Sequence, residues 1–99
     1  MKIIHIVEES IWKKTSNQPL YFADSLKEQG FIHCCLPKQV NFVVKNWFPG
    51  KKNLLLLEID TEKLDVNLVF EILDNGLEAF PHVYGPINSN AIIKCIPLT

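Results

Sequence analysis

The apolar residues of this chain come in short bursts that alternate at a period of two, and one segment alone switches to the helical period. Residues 2–7 place Ile3, His5 and Val7 on one face and Ile4 and Ile6 on the other, so both faces are mostly apolar and the segment reads as a buried strand. Residues 54–59 are apolar on both faces as well, which marks a central strand. Further strands are expected at 31–34, 80–84 and 91–96, and at 66–72, where Val66, Leu68, Phe70 and Ile72 form the greasier face. Only Val40, Val43, Val44 and Trp47 recur at the spacing of one helix face, with Pro37 suited to the first turn, Pro49-Gly50 to the end and Phe42 opposite the stripe.

A shorter helix is expected over 8–14, with Ile11 and Trp12 facing inward before the polar stretch 15–19. Asp24 or Ser25 is expected to cap a turn at 26–29 that Gly30 ends, Asp60 to cap 61–64, and Asn75-Gly76 to form a turn. Strands dominate beside one main and one short helix. The class is therefore α+β, with small mixed or antiparallel sheets.

Ninety-nine residues suffice for one hydrophobic core, so residues 1–99 are read as a single domain. The apolar share of 47% and charged share of 21% are those of a chain that folds unaided. A formal charge of -1 and the absence of any basic run exclude a row of phosphate contacts, so no nucleic-acid partner is expected. The apolar runs fall far short of the roughly twenty residues of a membrane helix, and the N-terminus enters a strand without a secretory pattern, so a cytoplasmic chain is expected. Cys34, Cys35 and Cys95, odd in number and with two adjacent, read as free thiols.

Chemistry is most plausibly carried by the histidines, because His5, His33 and His82 each sit inside an apolar segment, where an imidazole needs hydrogen-bond partners. Any one alone is most simply a satisfied core residue. Together they are expected to converge on one pocket with Tyr84, whose hydroxyl adds a polar handle. No spacing among them matches a metal-ligand pair, so no metal site is assigned. Of the acids, Glu71 lies on the mixed face with Asn67 and Val69 and is the candidate catalytic carboxylate, while Glu58 is expected to pair with a lysine. His33 and Cys34 point to opposite faces of a strand and so cannot form a base and nucleophile pair, and both tryptophans read as core.

His5-Ile6, Trp12, Gly30-Phe31-Ile32-His33-Cys34, Gln39, Leu57-Glu58-Ile59-Asp60 and Phe80-Pro81-His82-Val83-Tyr84-Gly85-Pro86-Ile87 together resemble the bacterial domain-of-unknown-function family 952. Cys35 stands where that family usually has serine, which argues against an essential nucleophile there. The resemblance implies an ADP-ribosyltransferase-like fold, in which NAD occupies a cleft between two small sheets. By that analogy His5 takes the place of the histidine that holds the NAD ribose, Tyr84 that of the aromatic on nicotinamide, and Glu71 that of the acid that orients the attacking group. The leading expectation is a small-molecule or nucleotide pocket of this kind, with glycosyl or ADP-ribosyl transfer as its chemistry. The alternative is a non-catalytic binding or interaction domain with a structural histidine network.

Overall fold

The β-branched residues of the first strand and the leucines of the fourth build the central layer, since both segments can bury either face. The computed structural model describes all residues except 73–75, 77 and 99. In chain order it shows β1 (Lys2–Glu8), α1 (Glu9–Thr15), β2 (Leu20–Tyr21), α2 (Asp24–Gln29), β3 (Ile32–His33), α3 (Val40–Trp47), β4 (Leu54–Asp60), β5 (Asn67–Ile72), β6 (Ala79–Tyr84), β7 (Ile87–Asn88) and β8 (Ile92–Pro97). One sheet has the order β1-β4-β8, a second β3-β6-β5, and β2 pairs with β7; every ladder among the described residues is antiparallel.

In the first sheet His5 lies opposite Leu57, and Leu57 opposite Cys95. Ile3 and Ile59 pack from one face against Tyr21, Ile32, Cys34, Val83 and Ile87. Ile4, Ile6 and Leu54 pack from the other face with Cys35, Phe80 and Val43 of α3. Both faces of β1 and β4 are thus covered, as their uninterrupted apolar pattern requires. Leu57, Ile3 and Ile59 are completely shielded from solvent.

The second sheet is joined to the first at the edge of β1. Ile4 and Cys35 exchange two backbone hydrogen bonds of 2.7 Å, an isolated bridge that ties β1 to the segment following β3. Gln39 is buried and fully used: its Oε1 accepts from the Leu36 N–H at 2.8 Å and its Nε2 donates to the Ala79 carbonyl at 3.1 Å, tying the turn before α3 to β6. Gly85, after β6, has φ of 152°, and a Cβ there would stand 2.7 Å from Val66 Cγ1, so the turn depends on glycine.

Several expectations are corrected. The turn at 26–29 begins earlier, and its N-cap is Ala23 with no side-chain bond, so neither Asp24 nor Ser25 caps it; Gly30, at φ 88°, does end it. Ile11 is exposed, and only Trp12 of that pair packs inward. On α3 only Val43 is buried, and Trp47 and Phe42 lie beside Phe80 on a half-open aromatic surface. The apolar alternation of β5 does not bury Phe70 or Ile72, which lie on the edge strand of their sheet and remain exposed. The ladders β2 and β7, two residues each, carry too little pattern to be read. Asp60 does cap its turn, accepting from the Glu62 N–H at 3.0 Å; the Asn75-Gly76 turn includes a residue outside those described.

Leu57 sits at the centre of the first sheet with no exposed surface. Leu57→Ala is expected to lower the free energy of unfolding by about 3 kcal/mol in urea titrations, the cost of lost burial plus a cavity that the paired strands prevent from collapsing.

Candidate functional site

Strand alternation turns His5 toward the interior, where both of its ring nitrogens find partners. Nδ1 lies 2.7 Å from the His33 carbonyl, and since a carbonyl only accepts, Nδ1 carries the proton. Nε2 lies 2.8 Å from the Tyr21 hydroxyl, which therefore donates to the ring's lone pair. Burial outweighs the carbonyl's preference for a charged ring and pulls the His5 pKa down to about 4, so the imidazole is neutral around neutrality. Burial, aided by Cys34 and Asp24, pushes the Tyr21 hydroxyl well above its ordinary range, so the donor keeps its proton. Trp12 packs edge-on to Tyr21 at 5.6 Å.

A second cluster spans β3, β6 and β5, whose register places His33 opposite His82 and His82 opposite Val69. The His33 Nε2 donates to Gln29 Oε1 at 2.6 Å, leaving Nδ1 as a lone pair with no partner among the described residues. Burial, then the neighbouring His82, lowers the pKa of His33. His82 Nδ1 lies 2.8 Å from Glu71, to which it donates, while its Nε2 is buried with no partner among the described residues. Phe31 stacks on His82 at 4.1 Å, and the two histidine rings meet edge to face at 5.3 Å. Glu71 also accepts from the Tyr84 hydroxyl; that bond, and then the one from His82, hold its carboxyl below the usual range.

A cavity of about 530 Å³ opens along the edge of β1, between the first sheet, α2, the end of α3 and the segment following β3. Its wall includes His5, Tyr21, His33, Glu8, Asp24 and Trp47. His82, Tyr84 and Glu71, expected at the same concavity, are not part of that wall. They form a connected cluster behind it that meets it through His33. Glu58 is also outside the wall; one of its oxygens lies 3.9 Å from Lys2 and the other is buried with no partner among the described residues.

Cys34 and Cys35 border the cavity, but burial raises both thiols, Cys35 to about 12, so they stay protonated and unreactive around neutrality. Cys34, Cys35 and Cys95 are all free. Among the described residues no group of three His, Cys, Asp or Glu side chains is placed to hold a metal ion, and no helix is long and apolar enough to cross a membrane. Tyr21, the partner that fixes His5, went unread because it lies in a two-residue strand, and Gln29 and Phe31 act through contacts that linear spacing does not encode.

Fold and site together define a small α+β protein with antiparallel sheets and a histidine-bordered cleft at a strand edge. Residues 6–95 match the family model described as a protein of unknown function, DUF952, and the chain belongs to that family. The crystal structure of protein CC0527 from Caulobacter crescentus is similar, with a TM-score of 0.86 and 27% identity over 100% of this chain and 87% of that one. The solution NMR structure of CC0527 matches with a TM-score of 0.79 and 27% identity over 95% and 81% of the two chains. No curated protein matches.

The pKa shift of His5 has a consequence for stability. Its folded value, about 4, lies below its ordinary 6.5, so between these values the unfolded chain binds the proton that the folded chain refuses. The contribution is therefore intact above 6.5 and is lost as pH falls toward 4, by about 3 kcal/mol in all. Denaturant unfolding measured across this window should show that loss, and His5→Gln, lacking a titrating ring, should flatten it.

Proposed function

We propose that the β1-edge cleft binds a small nucleotide-like molecule, with NAD or a fragment of it as the ligand class. The observation that carries this reading is the cavity itself, about 530 Å³, a volume typical of small-molecule sites, bordered by an aromatic wall and a histidine with an open ring nitrogen. An ADP-ribosyltransferase-like relation, with the ligand between two small sheets, accords with a cleft flanked by the β1-β4-β8 sheet and the segment that leaves β3. In this reading His33 Nδ1 accepts a hydrogen bond from the ligand, and Tyr21 and Trp47 supply flat apolar surface. Glu71 orients His82 behind His33, so it serves as a positioning residue; a part in glycosyl transfer would pass through those two rings.

One observation favours the alternative of a non-catalytic domain with a structural histidine network. Both nitrogens of His5 are already bonded within the chain, so a ribose reaches that ring only by displacing Tyr21 or the His33 carbonyl.

Calorimetric titration with NAD, ADP-ribose and mononucleotides tests the proposal. Dissociation constants of about micromolar to millimolar are expected, and His33→Ala should weaken binding by about tenfold, the value of one hydrogen bond in a desolvated site. Folded protein that binds none of these compounds would leave the structural-network reading in its place.

A further inference from the structure

The inference rests on the nucleotide-like reading of the cleft and narrows its ligand class. All ten basic residues of the chain are lysines, so no guanidinium is present to grip a phosphate in two-pronged fashion. Among the described residues no lysine belongs to the cavity wall, whereas Glu8 and Asp24 do. Lys51 comes within 3.9 Å of Glu8 and offsets that one carboxylate, leaving Asp24 uncompensated by any ion pair among the described residues. The short α2 opens at the cleft, but Asp24 occupies its first turn and opposes any anion there.

The hydrogen-bonding sense of the wall points the same way. Ionised Glu8 and Asp24 only accept. The His33 Nδ1 is a lone pair, because Nε2 holds the proton bonded to Gln29. The Tyr21 hydroxyl has committed its proton to His5 and can only accept from a ligand. Ser25 can donate or accept, and the donors in the wall are the Trp47 indole N–H and the backbone N–H of Ile6 on the free edge of β1. Such a wall suits a ligand rich in donors, such as ribose hydroxyls and a carboxamide NH₂. A phosphate is an anion and would meet the carboxylates of Glu8 and Asp24 with no lysine among the described residues of the wall to offset them.

We infer that the cleft selects a phosphate-free N-glycoside, with a cationic heteroaromatic base preferred over a neutral one, and discriminates against the corresponding 5′-phosphate. Trp47 in the wall adds a face on which such a cation can rest.

The test is a calorimetric comparison at low salt of nicotinamide riboside with nicotinamide mononucleotide, and of adenosine with adenosine monophosphate. Each riboside is expected to bind at least about tenfold more tightly than its phosphate, with nicotinamide riboside ahead of adenosine. The gap should shrink in high salt and fall to about threefold in Asp24→Asn, since both changes weaken the same repulsion. Phosphates that bind as tightly as the ribosides, or more tightly, would overturn the charge selection and leave the nucleotide-like reading in place. If folded protein binds none of the four compounds, NAD or ADP-ribose, both proposals fall together.

Discussion

The cleft depends on one side chain with two obligations. His5 belongs to the first sheet, accepts from a hydroxyl on β2 and donates to a carbonyl on β3, so three segments that share no ladder are held at fixed separations by one imidazole. Each of these bonds contributes only about 1 kcal/mol net, yet losing either partner strands a buried polar nitrogen at a cost of about 1–3 kcal/mol. That asymmetry makes the arrangement specific. It also fixes the ring's tautomer, so the neutral histidine presents no free nitrogen to the cleft it shapes.

His33 connects this strut to the second cluster. Its backbone carbonyl receives the His5 proton, its Nε2 is held by Gln29, and its ring meets His82, which Glu71 and Phe31 hold from two sides. Five aromatic or imidazole rings, those of Phe31, His33, Trp47, His82 and Tyr84, are in successive contact along this line. A buried Nε2 on His82 without a partner among the described residues is costly. His82 lies against His33, which also lines the cavity, so the cluster and the cleft share that residue.

The fold was legible where pattern and burial coincide. β1 and β4 are apolar on both faces because both faces are covered, and the stripe from Val40 to Trp47 does form α3. Legibility failed at edges. Phe70 and Ile72 alternate like core residues on an edge strand that leaves them exposed, and Trp47 closes its stripe on a half-open surface. The site was legible by residue type and not by arrangement. Burial in apolar segments singled out the three histidines, but which of them reaches the cavity is set by how β3 leaves β6 to meet Ile4. Tyr21, Gln29 and Asp24 carry no local signal, since their roles arise only when distant segments meet.

The most direct test of this account is long-range proton–nitrogen NMR of the His5 ring as pH is lowered. A proton on Nδ1 is expected, with a bare Nε2 whose shift changes in Tyr21→Phe and a ring that stays neutral until pH approaches about 4. A proton on Nε2, or a ring that charges near the ordinary 6.5, would contradict it.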